Sequence, residues 1–195
     1  MRYVTTVVLA AGCAGALGAC GDDDPAPPPA AVKERADKRG RLPAGWKRVV
    51  NRPAGFSLGI PPGWTARGAR GATLVRAGDR VLAASIAADR SADGRDLPPA
   101  VYARRTARGL AGYRKLKLGR PRPVRGTRYR GATVTATGTF ARTRVRQAIQ
   151  VTALRRRGAV TYSLIFFRTR RAPASVYQGA IRGMLRTFRA APPAG

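Results

Sequence analysis

The sequence predicts an α+β domain, an antiparallel β-sheet of about six strands flanked by helices, on three observations. Over residues 127 to 170 apolar side chains recur with a period of two, which puts alternate residues on opposite faces of a strand. Val134, Ala136, Gly138 and Phe140 alternate with Thr133, Thr135, Thr137 and Thr139; then Val145, Gln147, Ile149, Val151 and Ala153 share a face, as do Val160, Tyr162, Leu164 and Phe166. Short breaks at Ala141-Arg142-Thr143 and Arg155-Arg156-Arg157-Gly158 permit tight reversals, so the three runs read as an antiparallel meander. The third observation is a closing segment opened by Ala172-Pro173. There Val176, Tyr177, Ala180, Ile181, Met184, Leu185 and Phe188 form one apolar helical face, with Gln178, Arg182, Arg186 and Arg189 opposite, as a helix covering the sheet requires.

The elements before the meander follow in order. Trp46 to Val50 reads as a short strand and Asn51-Arg52-Pro53-Ala54-Gly55 as a turn. Phe56, Leu58 and Ile60 alternate with Ser57 and Gly59 until Pro61 and Pro62, which lack an amide donor, end the run. Trp64 is expected to pack over that turn. Ala72 to Arg76 and Arg80 to Ala88 form a hairpin with Gly78-Asp79 at its turn. Asp96 is placed to cap a helix with Pro98 and Pro99 in its first turn. Tyr102, Thr106, Gly109, Leu110 and Tyr113 follow at helical spacing, which leaves Arg104, Arg105 and Arg108 towards water. Leu116 and Leu118 mark a short strand leading into the meander.

Outside this domain, taken as residues 44 to 190, the chain has the marks of export. Arg2 is followed by an uncharged apolar run to Ala16, which fits a secretory signal over residues 1 to 19 and is too short and too rich in Ala and Gly for a membrane-spanning helix. Leu17-Gly18-Ala19-Cys20 resembles the lipobox of bacterial lipoproteins. The resemblance implies a diacylglyceryl group on the Cys20 thiol, cleavage before it, and a chain exported and lipid-anchored to the outer face of the cell membrane. Cys13, after Leu9-Ala10-Ala11-Gly12, is the competing position, but it would leave a very short apolar region. Ordinary secretion with a free thiol is the other alternative. With cleavage at Cys20 no second cysteine is left for an intramolecular disulfide. Residues 20 to 43 read as a flexible tether rich in Asp, Pro and Ala, and residues 191 to 195 as a disordered tail.

The segment Phe56-Ser57-Leu58-Gly59-Ile60-Pro61-Pro62-Gly63-Trp64, the helix after Leu97-Pro98-Pro99, Thr161-Tyr162 in the last strand of the meander, and the closing Leu185-Arg186-Thr187-Phe188-Arg189 together resemble the PsbP-like proteins. That family includes photosystem extrinsic subunits and many small bacterial lipoproteins. The resemblance implies an antiparallel sheet sandwiched between helices, an α/β/α sandwich, with binding or assembly roles. No catalytic or metal-binding residue carries over.

Composition narrows the chemistry. The chain of 195 residues has 38 Lys plus Arg against 9 Asp plus Glu, a formal charge of +29, and no His. Only five of the cations are Lys, and a chain this rich in Arg, Ala, Gly and Pro is what GC-rich codons produce, so part of the excess has a compositional origin. From Leu97 to the end there are 23 Lys plus Arg and no acid. General acid-base catalysis mostly relies on His or a carboxylate, so an enzyme is not expected; a hydrolase using a Lys-activated Ser ranks last among the readings. No metal or cofactor is expected. Asp89, Asp93 and Asp96 lie close in sequence, but with Arg90, Arg95, Arg104 and Arg105 nearby they read as partners in loop salt bridges, not as a calcium site.

The densest basic clusters, Arg155, Arg156 and Arg157 at one turn and Arg168, Arg170 and Arg171 after the last strand, are the candidate anion-binding residues, and they form two basic poles if the strands pair antiparallel. Export argues against nucleic acid as the partner. The leading reading is a non-catalytic binding domain that meets anionic phospholipid or acidic cell-wall polymer. The alternative is a scaffold for an envelope protein or a small apolar ligand, with Thr133, Thr135, Thr137 and Thr139 lining a groove.

Overall fold

The structure, a computed structural model, describes residues 42–69, 71–125, 127–156, 160–169 and 174–190. The chain divides into residues 1–33 and 34–195, and every described residue belongs to the second unit. Its strands are β1 (Lys47–Asn51), β2 (Phe56–Ile60), β3 (Thr65–Ala69), β4 (Ala72–Arg76), β5 (Leu82–Asp89), β6 (Tyr113–Leu118), β7 (Arg122–Pro123), β8 (Arg130–Phe140), β9 (Arg146–Arg155), β10 (Thr161–Thr169) and β11 (Arg189–Ala190). Its helices are α1 (Ala92–Asp96), α2 (Pro99–Arg108) and α3 (Ala174–Thr187). The meander is present as β8, β9 and β10, antiparallel in sequence, with Val134 opposite Val151 and Val151 opposite Ile165.

Two sheets form. The main one has eight strands in the order β3-β4-β5-β10-β9-β8-β6, with β7 also on β8, and a separate three-stranded sheet runs β1-β2-β11. The main sheet is wider than the expected six strands because β3 and β7 joined it without an alternating apolar pattern. Thr65-Ala66-Arg67-Gly68-Ala69 is an edge strand of small and polar residues, and β7 is two residues long. Pro61 stops β2 as anticipated, and β2 then belongs to the small sheet, with β11 as its second neighbour.

Each face of the main sheet has its own cover. Leu82, Ala84, Ile86, Tyr162, Leu164 and Phe166 share one face and pack with Phe56, Leu58 and Ile60 of β2 and with Tyr177, Ile181, Met184 and Leu185 of α3. Each fully buried large side chain here contributes about 1.5–3 kcal/mol. The opposite face, with Val134, Ala136, Ile149, Val151 and Ala153, lies under α2, whose Tyr102, Ala103 and Ala107 are buried. Trp64 is half-buried against the first core, as expected.

The region around α2 corrects the sequence reading. Asp96 is the last residue of α1 and does not cap α2; Ser91 caps α1, its hydroxyl accepting from Gly94 N at 3.4 Å. Leu97 is held extended (φ −69, ψ 134) because the ring of Pro98 excludes the helical region from the residue before it, so α2 restarts at Pro99. The helix stops at Arg108 with Gly109 as its cap, and Gly112 at φ +78 turns the chain so that Tyr113 begins β6. Leu110 and Tyr113 are therefore not on a helical stripe, whereas Arg104, Arg105 and Arg108 are exposed as predicted. Two smaller corrections concern Val145, which is exposed in the turn before β9, and Arg189, which leaves the helix and pairs in β11.

Candidate anion-binding surface and groove

Because β9 and β10 are antiparallel, with Gln147 opposite Thr169 and Arg155 opposite Thr161, Arg155 and Arg156 lie at one end of the sheet and Arg168 at the other. Arg142, Arg144 and Arg146 sit at the Arg168 end and are exposed. Arg155 has a structural duty. Its Nε donates to Thr161 Oγ1 at 3.2 Å and its Nη2 to the Gly94 carbonyl at 2.9 Å, which fastens α1 to the end of the sheet. Arg156 is exposed, and its charge acts on the Tyr162 phenol. Arg157, Arg170, Arg171 and the lipidation candidate Cys20 lie outside the described residues.

A groove of about 360 Å³ opens between α3 and the face of the main sheet that α3 only partly covers. Leu82, Phe166 and Ile181 form apolar walls, and Thr135, Gln150, Lys117 and Arg168 bring polar groups to it. Of the Thr row, Thr135 and Thr137 line the groove, while the Thr133 hydroxyl is bonded to that of Thr152 at 2.9 Å. Lys117 and Gln150 were missed by sequence reasoning. Gln150 was visible as a polar residue on the non-apolar face of β9, but Lys117 depends on a register shift in β6 between Arg114 and Lys117 that no periodicity announces.

Three of the domain's four carboxylates are engaged by the fold. Asp93 Oδ1 pairs with Arg105 Nη1 at 2.9 Å, as the loop salt-bridge reading anticipated. Asp79 accepts from Val81 N at 3.0 Å and from the Tyr177 hydroxyl at 2.6 Å behind the groove wall. Asp89 accepts from Ser91 N at 2.9 Å and from the Tyr102 hydroxyl at 2.8 Å. Burial alone would raise the Asp89 pKa, but the hydrogen bonds from Ser91 and Tyr102 outweigh it and hold the carboxyl below its ordinary value. Burial is also the main reason that the phenols of Tyr102, Tyr113 and Tyr177 are pushed well above the usual tyrosine range. Among the described residues no three His, Cys, Asp or Glu side chains come together as a metal site would need, and no helix is long and apolar enough to cross a membrane.

No family model and no curated protein sequence matches the chain. Solved structures do. The chain is similar to the Saccharomyces cerevisiae Ran-binding protein Mog1p, with a TM-score of 0.55 and 15% identity over 74% of this chain and 95% of that one. It is also similar to a protein from Bacteroides thetaiotaomicron, with a TM-score of 0.53 and 14% identity over 77% of this chain and 50% of that one. A looser likeness, with a TM-score of 0.48 and 12% identity over 70% of this chain and 83% of that one, is to LpqN of Mycobacterium tuberculosis, involved in cell envelope biogenesis. The likeness to Mog1p establishes an α+β fold like that of Mog1p, and at this identity it establishes the fold alone.

Proposed function

We propose that this chain is a PsbP-like lipoprotein, exported and acylated at Cys20, whose folded domain is a non-catalytic binding module for anionic envelope material. The observation that carries the reading is the separation of charge. Residues 97 to 195 hold 23 Lys and Arg and no Asp or Glu, and Arg105 reaches back to Asp93, an acid before that stretch, for its salt bridge. Arginines on opposite ends of one sheet give two basic poles, and each basic residue near an anionic surface contributes about 1 kcal/mol of attraction. Acyl chains on Cys20 would hold the domain within reach of that surface. The test is sedimentation of the full chain carrying Cys20→Ser with lipid vesicles at low salt. The reading expects binding to anionic vesicles and little to neutral ones, and equal binding to both contradicts it.

The groove supports a second reading, a scaffold for a small ligand with an apolar body and a polar or anionic end. Phe166, Leu82 and Ile181 suit the body, and Lys117, Gln150 and Thr135 suit the end. A binding role also agrees with the name of the fold neighbour Mog1p, which is called a Ran-binding protein.

A further inference from the structure

The small sheet gathers a cationic cluster of its own, with one member from the end of the main sheet where Arg130 pairs with Arg155. In the order β1-β2-β11, Arg48 lies opposite Gly59 and Arg189 opposite Ser57, and Ser57 and Gly59 are two apart on one strand. Arg48, Ser57 and Arg189 therefore project from one face, and Arg48 Nη1 reaches across to donate to Ser57 Oγ at 3.3 Å. Arg128 is brought in from the loop before β8. The hydroxyl of its neighbour Tyr129 accepts from Ala190 N at 2.8 Å, and the Tyr129 ring stands edge-on against Phe188 at 5.5 Å, so the loop is fastened beside Arg189.

Arg189 is pinned where it is. Its Nη1 donates to the carbonyls of Arg186 (2.9 Å) and Phe188 (2.8 Å) at the end of α3, which leaves the other donors of its guanidinium for something else. Burial, then the charges of Arg128 and Arg48, lower its pKa from the ordinary arginine value, so Arg189 feels both neighbouring cations. Among the described residues no carboxylate is paired with any of the three.

We propose that Arg48, Arg128 and Arg189, with the Ser57 hydroxyl, form a site for a phosphate monoester dianion. The chemistry fits: forked guanidinium donors match phosphate oxygens, a hydroxyl serves a further oxygen, and a doubly negative group relieves the mutual repulsion. Arg48 and Arg128 are exposed and so open to a ligand, while Arg189, half-buried, gives the site a fixed base. The site rests on the anionic-envelope reading and narrows its ligand, which is either free phosphate or the monoester headgroup of a lipid.

The test is calorimetric titration of the full chain carrying Cys20→Ser with inorganic phosphate. Sedimentation with phosphatidylcholine vesicles containing phosphatidic acid, or phosphatidylglycerol at equal surface charge, runs in parallel. The variant is Arg48→Ala with Arg128→Ala; the control is Arg67→Ala with Arg104→Ala, two exposed arginines elsewhere that remove the same charge. Circular dichroism checks that both remain folded, and Ser57→Ala is a milder third probe. Losing charge-assisted bonds should weaken phosphate binding about tenfold or more in the first variant and little in the control. The same selective loss with phosphatidic acid vesicles makes the occupant a lipid headgroup, whereas selective loss with inorganic phosphate alone makes it the free anion. Equal weakening in variant and control, or no phosphate binding by the parent chain, overturns the site even if anionic vesicles still bind. Selective phosphate loss without binding to any anionic vesicle keeps the site and overturns the broader surface reading.

Discussion

Thr187 does several jobs with one hydroxyl. It accepts from Gly59 N at 3.0 Å and donates to the Gly183 carbonyl at 2.8 Å, which locks the last turn of α3 to β2 inside the core. Thr187→Val keeps the shape and strands a buried amide, so a loss of about 1–3 kcal/mol is expected, read by urea denaturation as a lower midpoint with an unchanged slope. The tyrosines set a limit at high pH. Tyr102, Tyr113 and Tyr177 have pKa values raised above the ordinary tyrosine value of 10.0, so they stay neutral in the folded chain while the unfolded chain ionises. Their contribution is complete below pH 10 and is lost as pH rises beyond it, and a melting temperature that falls steeply above pH 10 checks this. Asp89 acts in the opposite range. Its depressed pKa means that its contribution is present above the unfolded value near 3.8 and fades as pH falls below it.

At the scale of elements, the groove depends on α3 covering only part of the main sheet. Thr135 is exposed on the uncovered part, so Thr135→Trp should fill the groove with little cost in stability. If the groove takes a ligand, this variant loses whatever the parent chain retains from envelope extract through a high-salt wash; unchanged retention removes the groove from consideration. The elements that made the groove were unequally legible. The alternation of Val134, Ala136 and Gly138 with threonines, and the apolar faces shared by Ile149, Val151 and Ala153 and by Tyr162, Leu164 and Phe166, revealed the three central strands. Strands such as β3, β7 and β11 owe their existence to neighbours already in place, so their own residues carry no periodic signal. The helix α2 was visible in Pro98 and Pro99, yet it starts later than a cap at Asp96 would place it, because Pro98 holds Leu97 extended and Asp96 instead ends α1. Of the predicted cations, Arg155 proved to be tied to Gly94 and Thr161, a partnership made by tertiary packing across 61 residues of sequence to Gly94. The cluster of Arg48, Arg128 and Arg189 was invisible in the chain for the same reason.

For the whole molecule, the consequential property is a sheet with basic residues at both ends and four carboxylates in the domain, Asp79, Asp89, Asp93 and Asp96, three of which already bond to other parts of the fold. Such a charge distribution favours an anionic partner, and the proposed anchor would decide where the partner is met. In cells the chain is expected in the membrane fraction carrying fatty acid at Cys20, and Cys20→Ser should abolish incorporation of labelled fatty acid; an intact, unprocessed chain in the cytosol would contradict the anchor. The central claim, recognition of anionic material by the basic surface, is tested most directly by the affinity of the Cys20→Ser chain for anionic vesicles as salt is raised. Screening shortens the reach of exposed charges to about 8 Å at physiological ionic strength and about 3 Å at 1 M. Binding that is strong at low salt and falls steadily as salt increases is the predicted result, and an affinity that does not change with salt would contradict it.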